Sequence, residues 1–333
     1  MERVPIPGTA LEVSRLCLGV PDIGVRQSEG EAHTLLDAWL EAGGNFLDTA
    51  RVYSDWVPGE LNRSERILGD WMHARKCRDR VIVATKGAHP PLADMAHARC
   101  APADLLEDVQ GSLRTLRTDR VDLWYFHRDD PTRPVQELVT AADGLVRSGM
   151  IRAWAVSNWK PDRVEAACSY AASAQLHPPV AVQNHWNVGS ADAAPLPAHM
   201  GMVAMDAHGE DFHRRYGMTA IPYSSQAGGF FSKWIEGGAD ERERLAHSSY
   251  ATPGNIARAE RIQQVARARG VPVSHVVLGY LRAQPFPVFP LVGCHRMEQI
   301  IDSVAAADCV LSAAEVSRIR GPGAEMDKTV LHP

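Results

Sequence analysis

NFLDTARVYSDW, residues 45–56, carries the reading that decides the fold. A short apolar run ends abruptly in Asp48, and Tyr53 follows five residues later. This is how a buried strand looks when it gives way to a loop that carries chemistry. The pattern recurs downstream: VIVATKG (81–87) ends on Lys86, and DLWYFHRDD (122–130) on His127. Working outward, short runs rich in β-branched or aromatic residues predict strands at 16–19, 45–48, 81–85, 121–126, 152–156, 180–183, 219–223 and 288–292. Most are followed by stretches of helical periodicity, predicted at 29–42, 64–76, 102–116, 134–148, 161–174 and 255–269. Strand and helix in alternation imply a parallel sheet covered by helices.

Punctuation agrees with these elements. Pro102 and Pro161 suit the first helical turn, where a missing N–H costs nothing, and Gly149 and Gly270 sit where helices stop. VPIPGTALEVSRLCLG (4–19) reads as a hairpin turning near Pro7-Gly8 and plugging one mouth of a barrel. Residues 224–254 contain two Gly pairs and no strand pattern, and are expected to form a loop or lid over the other mouth. With no Gly/Pro/Ser-rich linker, low-complexity tract or internal repeat, residues 1–333 read as one domain.

Composition narrows the partners. The chain is 45% hydrophobic with a formal charge of -5, and its basic residues are dispersed, which disfavours nucleic acid and acidic membrane surfaces. No run approaches the roughly 20 apolar residues of a membrane span. The six cysteines form neither a C-x-x-C pair nor a zinc-like cluster. A cytoplasmic protein without a metal, acting on a small molecule, is expected; its oligomeric state is left open.

In an α/β barrel the active site gathers at the C-terminal ends of the strands. Asp48, Tyr53, Lys86 and His127 come from three adjacent ends and suit proton delivery to a carbonyl oxygen. A buried tyrosine is a poor acid unless a cation steadies its phenolate, a task for Lys86 held by Asp48; His127 would orient the carbonyl. Taken singly, each has a bland alternative: a cap, a packed ring, a snorkelling base, a satisfied core histidine. The G-x-G-x-x-G of a Rossmann fold is missing after every strand.

Together NFLDTARVYSD, VIVATKG, DLWYFHRDD, IRAWAVSNW (151–159), VAVQN (180–184), IPYSS (221–225) and PLVGCHRMEQIIDS (290–303) resemble the aldo-keto reductase family in order and spacing, over nearly the whole chain. The resemblance implies a (β/α)8 TIM barrel with an N-terminal β-hairpin and an extra C-terminal helix. It also implies a catalytic tetrad of Asp48, Tyr53, Lys86 and His127, with Tyr53 as general acid. For the cofactor NADP(H) it implies Ser157, Asn158 and Gln183 at the carboxamide, Tyr223 stacked on the nicotinamide, and Ser224 near the pyrophosphate. Gly293, Arg296 and Gln299 fall at the adenosine end. Arginine's planar fork matches a phosphate, so Arg296 argues for NADPH over NADH. Two departures stand out: Ser303 where many relatives have Asn, and YSSQAGGFF after the seventh strand in place of Tyr-Ser-Pro-Leu.

Trp56, His89, Arg128 and Trp186 are candidate substrate contacts, and Trp124 and Trp154 are expected to pack. The expected activity is reversible reduction of an aldehyde or ketone, of a sugar, glycoside or natural product, to the alcohol. The rivals are a cofactor-binding regulatory subunit with little turnover and a two-carboxylate glycosidase using Asp129, Asp130 or Glu60.

Overall fold

A computed structural model describes residues 1–197 and 200–321. Eight parallel strands form the central sheet in the order β10-β3-β4-β5-β6-β7-β8-β9: β3 (Cys17–Gly19), β4 (Phe46–Asp48), β5 (Ile82–Gly87), β6 (Val121–Phe126), β7 (Ile151–Ser157), β8 (Ala181–Gln183), β9 (Thr219–Ala220) and β10 (Leu291–Gly293). The last gap is bridged by backbone hydrogen bonds from Ala220 N to Pro287 O, Phe289 N to Ala220 O and Leu291 N to Pro222 O. The final strand is thus split: residues 287–291 serve β9, while 291–293 pair with β3. This explains why the predicted strand 288–292 is offset from β10.

Strand periodicity sorts the side chains into two cores. Cys17, Phe46, Ala84, Leu123, Tyr125, Ala153, Ala155, Ala181, Ile221 and Phe289 fill the barrel interior, where small alanines leave room for the large rings. The alternate residues Leu47, Val83, Trp124, Phe126, Trp154 and Val156 face outward into the helical layer. Trp124 and Trp154 are completely buried there, as expected. At the N-terminal mouth β1 (Arg3–Pro5) and β2 (Glu12–Ser14) form the expected hairpin, and Ile6, Leu11 and Val13 close the interior like a stopper. Each such fully buried aliphatic side chain contributes about 1.5–3 kcal/mol.

The helices are α1 (Glu29–Glu41), α2 (Arg63–Arg75), α3 (Pro102–Thr115), α4 (Val135–Arg147), α5 (Pro161–Ala174), α6 (Ala207–Tyr216), α7 (Phe230–Glu236), α8 (Gly238–Leu245), α9 (Pro253–Arg269), α10 (Val273–Arg282), α11 (Met297–Ala306) and α12 (Ala313–Arg320). Those predicted from periodicity are present within two residues at each end. Residues 224–254, however, are not an open loop: they contain α7 and α8. Phe230 and Phe231 are buried, and Phe230 stacks on Trp234 one turn away, ring centres 5.4 Å apart. Glycine pairs masked a helix start held by tertiary packing rather than by propensity.

Candidate active site

Extending the inward-facing row of each strand by one step lands on a polar residue. The row through Phe46 reaches Asp48, that through Ala84 reaches Lys86, and Leu123 and Tyr125 lead to His127. On the other side Ala155 leads to Ser157, Ala181 to Gln183 and Ile221 to Tyr223. Period-two geometry therefore carries these groups to the C-terminal rim above the apolar interior.

Lys86 is the hub of that rim. Its Nζ donates to Asp48, to the Thr49 carbonyl at 2.9 Å and to the Tyr53 hydroxyl at 2.9 Å. Asp48 and Lys86 are both shut off from solvent, and Gln183 Nε2 supplies the second Asp48 oxygen at 2.9 Å. Burial opposes the Lys86 charge, but Asp48 and Tyr53 outweigh it and hold its pKa above the ordinary lysine value. Burial pushes the Tyr53 phenol up and the Lys86 ammonium pulls it partly back, so the phenol keeps its proton at neutral pH beside a cation that would steady its anion. The His127 ring meets that of Tyr53 edge-on at 5.8 Å. Burial, reinforced by His89, Arg128 and Lys86, depresses the His127 imidazole well below its usual range. It is neutral, with one N–H to offer. An acid, a cation behind it and a neutral donor beside it constitute a device for placing a proton on an oxygen.

Next to this floor Ser157, Asn158, Gln183 and Tyr223 form a wired amide cluster. Asn158 Nδ2 donates to Ser157 Oγ at 3.0 Å, Ser157 Oγ to the Gln183 carbonyl at 2.8 Å, and Tyr223 OH to Asn158 Oδ1 at 2.8 Å. Asn158 holds a left-handed backbone, φ 60°, a conformation asparagine tolerates better than most residues. The cluster lies on the wall of a cavity of about 720 Å³ that runs from Asp48, Tyr53, His127 and Arg128 past Ser224–Gln226, Gly228 and Gly229 to Gly293, His295, Gln299 and Ser303. A methyl group built on Gly228 or on Gly293 would meet nothing within 4 Å, so backbone lies bare to the cavity at both. A cavity of this size, lined by amide groups, bare backbone, Lys233 and residues of the first turn of α11, has room and donors for a dinucleotide.

Several expectations take a different form. Trp186 does not reach the cavity: it is 2% exposed and stacked on Phe286 at 5.9 Å, so its place is in the core under α10. Trp56 and His89 do not line the cavity but pack beside residues that do, Trp56 against Tyr53 with ring centres 6.2 Å apart and His89 against His127 at 4.7 Å. Gln299 lines the cavity, but its Oε1 caps α11, accepting from His295 N at 2.7 Å and Arg296 N at 3.2 Å; only its amine end is left for a ligand. Arg296 is exposed at the N-cap of α11, next to the lining residue His295. Ser303 is buried in the lining, 3.6 Å from the Cys294 sulfur. The sequence reading missed Arg26, Ser232 and Lys233, which also line the cavity. A lysine one turn into a helix that begins with Gly-Gly was the available signal for Lys233.

Among the described residues no group of three His, Cys, Asp or Glu could hold a metal ion, and no helix is long and apolar enough to cross a membrane. The sequence pattern of the Aldo/keto reductase family matches residues 15–322. The chain is 29% identical over 331 residues to norsolorinic acid reductase B of Aspergillus parasiticus, covering 94% of this chain and 81% of that protein. It is 28% identical over 344 residues to the aryl-alcohol dehydrogenase [NADP(+)] of Phanerodontia chrysosporium, covering 93% and 82%. To the oxidoreductase YrpG of Bacillus subtilis it is 26% identical, over 98% of each chain. Match and geometry agree that this chain is an oxidoreductase belonging to the aldo/keto reductase family.

Proposed function

We propose that the protein is an NADPH-preferring carbonyl reductase that converts an aldehyde or ketone reversibly to its alcohol, with Tyr53 as the general acid. The observation that carries this reading is the Lys86 ammonium, closed off from solvent and bonded to both Asp48 and the Tyr53 hydroxyl at the floor of the cavity.

NADPH, when bound, supplies the hydride. Ser157, Asn158 and Gln183 would hold its carboxamide, and Tyr223 would offer its ring to the nicotinamide. Ser224 and the bare backbone at Gly228 would serve the pyrophosphate. Gly293 permits close approach near the adenosine end, Gln299 offers its amine, and Arg296 reads the extra phosphate that distinguishes NADPH from NADH. At the other end His127 donates a hydrogen bond to the substrate carbonyl and Tyr53 delivers the proton to the same oxygen. The phenolate left behind rests on Lys86, whose charge Asp48 keeps in place. A positioned general acid of this kind is worth about 10²–10⁴ in rate. The names of the relatives favour aromatic carbonyl compounds and alcohols as the first substrates to try.

The test measures NADPH and NADH binding by tryptophan fluorescence, together with alcohol formation from a panel of aromatic aldehydes and ketones, for the wild type and Arg296→Ala. The expected result is turnover with NADPH, and a loss of NADPH affinity in the variant of about 10–100-fold with little change for NADH, the range for charged hydrogen bonds. Equal losses for both cofactors would remove Arg296 from the phosphate role. Lack of binding of either cofactor would remove the reading itself.

A further inference from the structure

The strand that delivers His127 delivers Arg128 with it, into the same cavity as Tyr53 and Tyr223. The side chain turns back so that Nη1 donates to the His127 carbonyl at 2.9 Å and Nε to the Met200 carbonyl at 3.2 Å. Gly201 lies against its stem: a methyl group built there would be 3.6 Å from Arg128 Cδ. Met202, next in that segment, lines the cavity. The two carbonyls orient the guanidinium without neutralising it, and three of its five N–H donors find no partner among the described residues.

Neighbouring carboxylates are committed elsewhere. Asp129 pairs with Arg163 at 3.1 Å and Asp130 with Arg133 at 3.4 Å. Asp48 is spent on Lys86. His127 and His89 are neutral, the latter pushed down to about 4 by burial and by Arg128 itself. Arg26, farther along the cavity, is paired with Asp22 at 3.1 Å. Among the described residues, then, the tetrad end of the cavity carries one uncompensated positive charge. A partly buried guanidinium without a counter-ion is unfavourable. Its planar fork is the shape that a carboxylate accepts with two parallel hydrogen bonds.

We propose that Arg128 is the specificity residue for the far end of the substrate, and that the cavity takes carbonyl compounds bearing an anionic oxygen group, a carboxylate in the simplest case. Arg128 grips that group while the carbonyl meets Tyr53 and His127. The proposal rests on the reductase reading above.

The test compares para- and meta-carboxybenzaldehyde with their methyl esters, which keep the aldehyde and lose the charge, in the wild type, Arg128→Gln and Arg128→Lys. The wild type should favour the better acid over its ester by about 10–100-fold in kcat/KM, chiefly through KM. In Arg128→Gln that ratio should fall to about one, and Arg128→Lys should keep part of it. Because the readout is a ratio, a general loss of activity or folding cancels. A second readout needs no turnover: calorimetric titration of the NADPH-loaded enzyme with the matching hydroxymethylbenzoate and its methyl ester should show the same preference and the same loss. Equal treatment of acid and ester by the wild type, or a ratio that survives in Arg128→Gln, overturns the proposal and leaves the reductase reading standing. An Arg128-dependent preference in binding, with neither aldehyde reduced, supports the anion site while the reductase reading falls.

Discussion

Replacing Lys86 by methionine should do two separable things. Asp48 would be left as a fully buried carboxylate whose remaining side-chain donor is Gln183 Nε2 at 2.9 Å. Breaking a buried ion pair from one side costs about 3–5 kcal/mol, because the orphaned charge keeps its desolvation penalty and loses its partner. For a chain of 333 residues that is a fall in Tm of about 4–7 °C. Making the second change, Asp48→Asn, removes the orphaned charge while keeping its shape and the Gln183 contact. The Lys86→Met/Asp48→Asn double variant should therefore recover to within about 1–2 kcal/mol of the wild type. Activity should not recover, because the Tyr53 hydroxyl has lost the ammonium 2.9 Å away. The assay is a thermal melt of wild type, both single variants and the double, beside NADPH-dependent reduction of an aromatic aldehyde. A double variant as unstable as the sum of the singles would refute the buried-pair argument. One that regained normal turnover would refute the role given to Lys86.

Gly293→Val tests the cavity: with open space around its would-be Cβ the variant should melt within about 3 °C of wild type, yet bind NADPH at least tenfold more weakly, and unchanged affinity would move the cofactor elsewhere. Acid should destabilise the fold through its buried neutral histidines. His213, 1% exposed with Nδ1 against the Met218 carbonyl at 2.7 Å, is held by burial at a pKa of about 4 against an ordinary 6.5. The unfolded chain therefore binds the extra proton first, and the His213 contribution is complete above pH 6.5 and lost as pH falls toward 4. From pH 6.5 to 5 this one side chain should cost about 2 kcal/mol, absent in His213→Gln; equal pH slopes in the two proteins would contradict it.

How much of this was legible beforehand depends on what kind of force placed each residue. Asp48, Lys86 and His127 could be read directly, since strand periodicity sets their direction and each is the charged or imidazole side chain at the end of a mostly apolar run. Tyr53 came from its spacing after Asp48 within a motif. Trp186 was misjudged because a tryptophan after a strand serves equally as rim or as core, and only the position of Phe286, a hundred residues on, decides between them. Gln299 was read as a ligand contact, whereas half of its amide is occupied in capping α11. α7 was hidden because seven residues after a glycine pair have little intrinsic helicity, and long-range burial of Phe230 and Phe231 supplies what propensity lacks. The uncompensated charge of Arg128 was out of reach, since it depends on where Asp129 and Asp130 turn.

Tyr53 is proposed to pass its proton to a carbonyl oxygen as the carbonyl carbon is reduced. A single-turnover experiment tests this most directly: enzyme preloaded with NADPH is mixed with excess aromatic aldehyde, and loss of the reduced nicotinamide is followed in wild type and Tyr53→Phe, with NADPH affinity measured for both. The wild type should oxidise one equivalent of cofactor, Tyr53→Phe should do so at least about 100-fold more slowly, and the two should bind NADPH with closely similar affinities. Cofactor oxidised equally fast by Tyr53→Phe, or bound and never oxidised by the wild type with any carbonyl compound, would contradict it.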